Sequence, residues 1–155
     1  MKRVVPLFSL LIFLIFVDLG TKLLVTEMVP LEAYVPLLWE FLGIQRAYNI
    51  GIAFSLPLHG IPLQILTILL IWAILYVYIK DEYKKKSWIL DIAYVAILAW
   101  ALSHAYERIF IWHVVDYIFV KYFAILNFAD IFISVGVLIL AIHYLFHEYT
   151  RKFRS

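Results

Sequence analysis

The sequence predicts an all-α membrane protein, four transmembrane helices with a small β-containing element on the outer (periplasmic or extracellular) side. Three observations predict it. Of 155 residues, 66% are hydrophobic and the mean hydropathy is +0.96, far above the roughly 45–50% apolar usage of soluble domains. Four apolar blocks reach the roughly 20 residues that a bilayer-crossing helix needs. Nine of the 13 Lys and Arg residues fall on one side of the membrane if the chain crosses four times, as the positive-inside rule requires. The length suits one membrane domain over residues 1–155. With no Cys, a disulfide framework and thiolate chemistry are both excluded.

The first helix is expected at about residues 4–25. Lys2 and Arg3 precede an apolar run that could be taken for a cleavable leader, but the run passes into DLGTKLLV without a small-x-small cleavage pattern, so it reads as a retained helix. Asp18 and Lys22 interrupt it. Four residues apart, they share a helix face and can pair, or brace the outer loops from within the membrane; both are assigned a structural role. The second helix, about 61–79, has no charge at all. KDEYKKK, residues 80–86, reads as a polar turn. The third helix spans about 88–108 and holds Asp91 and His104; the fourth spans about 128–147.

With basic residues flanking the helices at residues 2–3, 80–86 and 151–154, both termini face the cytoplasm and the loops 26–60 and 109–127 face outward. The first outer loop mixes short alternating runs with Pro30, Pro36, Gly43, Gly51 and Gly60, which suggests short strands and a surface-lying segment. Tyr34, Trp39 and Tyr48 suit the lipid headgroup region.

The second outer region contains VVDYIFVKYFAILNFAD (114–130), with two acids among apolar neighbours. Lys121 and Arg108 are the nearest cations in sequence, and neither neutralises both acids. Two carboxylates sharing a poorly hydrated pocket cannot easily both ionise, and that pairing activates water for peptide hydrolysis. Spacing alone leaves open that Asp116 and Asp130 are loop acids near headgroups.

Four segments together resemble the signal peptidase II family of bacterial inner-membrane aspartyl proteases. DLGTK (18–22) is similar to the family's Asp-x-x-Thr-Lys, and NIGIAFS (49–55) to its Asn-x-Gly-x-Ala-Phe-Ser. ER (107–108) with VVDYI (114–118) resembles Asp-Arg and Val-Val-Asp-Phe-Ile, and NFAD (127–130) the Asn-x-Ala-Asp that opens the last helix. The resemblance spans nearly the whole chain. It implies a multi-pass protein of the bacterial cytoplasmic (inner) membrane that removes the signal peptide from diacylglyceryl-modified prolipoproteins. The cut falls before the lipidated Cys, near the outer leaflet. Asp116 and Asp130 are then the catalytic pair, and Asn49, Gly51, Arg108, Asn127 and Ala129 line or support the site; His104, standing where the family has Asn, is counted with the supporting residues. If helix four begins near Asn127, its N-terminal dipole favours an anionic Asp130 as base, with Asp116 as the protonated partner.

The chain departs from the family over AWALSHAYER (99–108): Trp100 stands where a small residue is usual, Ser103 where Gly, His104 where Asn and Glu107 where Asp is common. Bulk there would narrow the substrate groove. His104 brings a ring that donates, accepts and titrates where an amide does not. His143 and His147 lack a third ligand, so no metal and no cofactor are expected. The expected partners are signal peptides and membrane lipids, not nucleic acid, and a monomer is expected. The alternative is a non-catalytic chain of the same fold that binds acylated peptides. A proton-linked transporter fits less well, because the charges cluster at one surface while the second helix is apolar throughout.

Overall fold

The computed structural model describes residues 3–51 and 59–152, with side chains described as far as residue 146. Among these residues, α1 (Val4–Met28) is followed by strands β1 (Tyr34–Leu38) and β2 (Leu42–Asn49), then by α2 (Ile61–Val77) and α3 (Trp88–Phe110), then by strands β3 (Val114–Val120) and β4 (Ala124–Leu126) and by α4 (Phe128–Lys152). The predicted class is therefore observed: a membrane helix bundle with a small antiparallel sheet.

The bundle is built around α3. In its most apolar 18-residue window 72% of residues are buried, against 11% in each of the other three helices. Apolar side chains on α1, α2 and α4 point outward because lipid, not a protein core, is their solvent. Only Leu7, Asp18 and Lys22 are buried on α1. Two of these three are charged, the reverse of a soluble amphipathic helix. Close approach of α3 and α4 depends on Gly136, where an added Cβ would meet the Ala93 carbonyl oxygen at 2.7 Å and Ile97 Cγ1 at 2.8 Å.

Residues 80–86 are not the simple polar turn that their charge suggests. α2 continues through a π-helical turn (Tyr78–Glu82) and a 3-10 turn (Tyr83–Lys85) before Lys86 reverses the chain with φ 54°. Local charge misleads here because it is paired. Glu82 is buried, held by Lys85 Nζ at 2.8 Å, and Lys85 also reaches the Tyr144 hydroxyl at 3.3 Å. Beside it Arg3 Nη1 meets the fully buried Asp91 at 2.5 Å, and the Tyr78 hydroxyl donates to the same carboxylate at 2.9 Å. The start of α1, the α2–α3 connection and the far part of α4 thus gather at one end.

The segments between α1 and α2 and between α3 and α4 form one sheet at the opposite end, in strand order β1-β2-β3-β4, all antiparallel. Its central pairing sets Asn49 opposite Val114 and Ala47 opposite Asp116, past an irregularity between Ile44 and Ala47. Residues two apart on a strand share a face, so Asn49 and Asp116 lie on the same side of the sheet. Arg46 fastens the sheet to the bundle by donating to the Thr26 and Val29 carbonyl oxygens at 2.8 and 3.2 Å, acceptors that the end of α1 leaves free. Trp39 is 85% exposed and Tyr122 93% exposed at the two hairpin turns, both with positive φ, 49° and 65°.

Candidate active site

Asp130 takes its place from the local chemistry of a helix start. With α4 beginning at Phe128, Asn127 is the cap residue and Asp130 the third helical position. Asn127 Oδ1 accepts from the Asp130 N–H at 3.1 Å, and Asp130 Oδ2 accepts from the Asn127 N–H at 3.1 Å. This reciprocal capping box satisfies two orphan donors and fixes the carboxylate. The Asn127 amide has a second end: its Nδ2 donates to Asp116 Oδ1 at 2.6 Å. One capping residue therefore spans both acids.

Asp116 receives its other hydrogen bond from Asn49 Nδ2, 3.0 Å from Oδ2, while Asn49 Oδ1 accepts from the Gly51 N–H at 3.0 Å. Neither carboxylate has a Lys or Arg within ion-pair distance among the described residues; amides hold them instead. Burial pushes the Asp116 carboxyl up to about 6, the negative charge of Asp130 adds to this, and the Asn49 and Asn127 donors oppose it. Lys121 turns away to Glu40 at 2.7 Å.

Both acids line a cavity of about 1020 Å³ together with polar Asn49, Arg108, Trp100 and His104 and with apolar side chains from α2, α4 and the β3–β4 hairpin, among them Leu63, Leu66, Ile133 and Ile125. Arg108 bridges α2 and the end of β2, with Nη2 3.2 Å from the Gly51 carbonyl oxygen and Nη1 3.5 Å from Thr67 Oγ1. Asp130 Oδ1 accepts from the Trp100 indole N–H at 3.2 Å and lies 3.7 Å from His104 Nε2. Trp100 is thus more than bulk in the groove.

Behind the cavity lies a buried ionic cluster. Lys22 Nζ is 2.7 Å from Asp18 Oδ2 and 2.5 Å from Glu107 Oε2. Asp18 also accepts from the Ser103 hydroxyl and, at 2.9 Å, from the Ala129 N–H; Glu107 Oε1 accepts from the Val115 N–H at 3.0 Å. The acids of this cluster therefore cap the start of α4 and hold β3, one residue from each site carboxylate. Asp18 and Lys22 pair with each other and, through the same cluster, reach the start of α4 and β3. Ser103 and Glu107, departures from the family pattern, are members of the same cluster.

Asn49, Gly51, His104, Arg108, Asp116, Asn127 and Asp130 are brought together, with Ala129 acting through its backbone. Residues 52–55 of the NIGIAFS motif lie outside the described residues, as does the side chain of His147; His143 sits on the far part of α4. Sequence reasoning missed Gln64 and Thr67. Gln64 Nε2 donates to the Arg108 carbonyl oxygen at 2.7 Å, and Thr67 meets its guanidinium. Their signal was present: two polar residues three apart on an otherwise apolar helix face.

A family model described as signal peptidase (SPase) II matches residues 10–146. The lipoprotein signal peptidase of Bartonella henselae is 31% identical over 97% of this chain and 96% of its own length. That of Fusobacterium nucleatum is 30% identical over 94% of this chain and 88% of its own length. Two solved structures of a bacterial membrane enzyme superpose with a TM-score of 0.82 at 25% identity, over 92% of this chain and 89% and 94% of theirs.

Proposed function

Since the chain belongs to the signal peptidase II family, we propose that it is a membrane aspartyl endopeptidase, cutting diacylglyceryl-modified prolipoproteins immediately before the lipidated Cys. The observation that carries this reading is the pair of carboxylates bridged by Asn127, lining one cavity and, among the described residues, free of Lys or Arg ion pairs. The apolar walls between α2 and α4 suit a signal-peptide segment approaching from lipid.

In the proposed reaction a water lies between the two acids. Asp130, at the positive end of α4, takes a proton from that water, whose oxygen attacks the scissile carbonyl carbon. Asp116 meanwhile donates its proton to the carbonyl oxygen, consistent with a carboxyl raised to about 6 by burial. The tetrahedral intermediate collapses as the Asp130 proton passes to the leaving amide nitrogen, and the gem-diol returns a proton to Asp116. No charge has to be stabilised by a cation at the reacting atoms.

One observation favours binding without cleavage: Trp100 and His104 crowd Asp130 Oδ1, the oxygen left free by the capping box. The deciding experiment is a gel-shift cleavage assay of the purified chain in lipid with a diacylglyceryl prolipoprotein. Asp116→Asn and Asp130→Asn should each slow cleavage by roughly 10³-fold or more, as loss of a directly reacting group does. Binding by the unaltered chain without any product would sink the endopeptidase reading. The same proposal has both termini cytoplasmic, the site near the outer leaflet of the inner membrane, and the chain acting as a monomer.

A further inference from the structure

His104 has no part in the two-carboxylate reaction, although it is 5% exposed and lines the same cavity. Its Nδ1 lies 3.1 Å from the Trp100 carbonyl oxygen. A carbonyl only accepts, so this contact requires a proton on Nδ1. In the neutral ring Nε2 is then a bare acceptor, and it faces Asp130 Oδ1 across 3.7 Å. Trp100 fixes both partners, because its carbonyl selects the tautomer while its indole N–H, 3.2 Å from Oδ1, holds the carboxylate oxygen that the ring faces. A lone pair opposite a carboxylate oxygen is repulsive unless a proton lies between them.

We propose that His104 is a third proton-carrying group of the site, exchanging one proton with Asp130. Once Asp130 has taken the water's proton, and as the 3.7 Å gap closes to hydrogen-bond distance, the O–H bond on Asp130 Oδ1 breaks as an N–H bond forms on Nε2, so a neutral carboxyl beside neutral imidazole interconverts with a carboxylate beside imidazolium. No other reagent is needed. This deepens the two-aspartate reading and rests on it; His104 acts through Asp130, so it is a positioning residue. Among the described residues, the charged groups around the ring are Lys22 from α1 and Arg108 from α3, which oppose an imidazolium, and Asp116 from β3 and Asp130 from α4, which favour one. α2 presents Leu63, Leu66, Thr67 and Leu70, without charge.

An extra proton on the ring pairs Asp130 with imidazolium and weakens it as a base. Cleavage should therefore fall toward low pH along a limb that an amide at position 104, which does not titrate, would not create. The test compares kcat/KM from pH 5 to 9 for the chain, His104→Asn and His104→Gln, reconstituted in lipid with a diacylglyceryl prolipoprotein. In both variants the acid limb should move by about one pH unit or more, the scale at which sites count as coupled. Profiles that stay parallel, differing by one constant factor, would overturn the proposal. Asp116→Asn runs alongside: if it still cuts, the two-aspartate reading fails whatever the profiles show.

A second readout needs no turnover. In ¹⁵N-imidazole spectra the chain has five His residues, and the signal lost in His104→Asn identifies this one. It should report the Nδ1–H tautomer at neutral pH, with a titration midpoint that moves in Asp130→Asn. An Nε2–H tautomer, or a midpoint indifferent to Asp130→Asn, would refute the coupling.

Discussion

Asn127 uses both ends of a single amide, its oxygen closing the α4 capping box and its nitrogen holding Asp116. The geometry of the two acids is thereby set by where a helix starts. Asp116 itself carries a cost. A carboxyl raised from its ordinary 3.8 to about 6 binds its proton more tightly in the folded state, so its contribution is most favourable below pH 3.8 and is lost as pH rises through 6. Asp116→Asn should therefore unfold less readily than the unaltered chain at pH 7.5, by about 1–2 kcal/mol after allowing for one lost acceptor. The advantage should shrink toward pH 5, as read by denaturant titration in mixed micelles; a gap that widens on acidification would contradict the assignment. At this scale the two acids were legible through family resemblance rather than spacing. The Trp100 donor and the His104 contact were not, because each depends on which way a side chain turns from α3, and the letters of the sequence fix only its size and chemistry.

The helices were legible to within a few residues of most ends, since an apolar run must be about as long as the bilayer is thick. Their connections were harder. KDEYKKK looks solvated until Glu82 is seen buried and held by Lys85, and a pairing between neighbours on a helical turn overrides local polarity. The sheet was foreseen only as short strands. Its register joins Asn49 to Asp116 across 67 residues, and no local pattern encodes that partnership. Two substitutions test how the elements hold together. Lys22→Met leaves Asp18 and Glu107 buried without their shared cation and should cost about 3–5 kcal/mol. Gly136→Val drives a branched side chain into the Ala93 carbonyl and Ile97; overpacking of this kind costs about 1–3 kcal/mol. It should also slow cleavage, because α4 carries Asp130. Unchanged midpoints in steric-trapping or denaturant experiments would show that these contacts contribute nothing.

Over the whole molecule, Arg3 and the basic α2–α3 connection mark one end, and the exposed Trp39 and Tyr122 turns mark the other. As the chain has no Cys, single cysteines at Lys84 and Tyr122 can be labelled cleanly in right-side-out vesicles. An impermeant maleimide should reach Tyr122→Cys directly and Lys84→Cys only after permeabilisation; the converse would invert the proposed orientation. The burial of α3 has a consequence for how the protein is made. This helix has the lowest mean hydropathy of the four, 1.5, and brings Asp91, Glu107 and Arg108 into the membrane together, each a residue that an isolated segment inserts at a cost. During synthesis α1 emerges first, with Lys22 already at the depth where Glu107 will arrive. α3 should consequently be a poor passenger at the translocon when presented alone, and should be accepted when α1 precedes it. Glycosylation mapping of the 88–110 segment, with and without residues 1–28, would detect that dependence, and Lys22→Met should abolish it. The ion pair that braces the finished protein would then also be a checkpoint in its assembly.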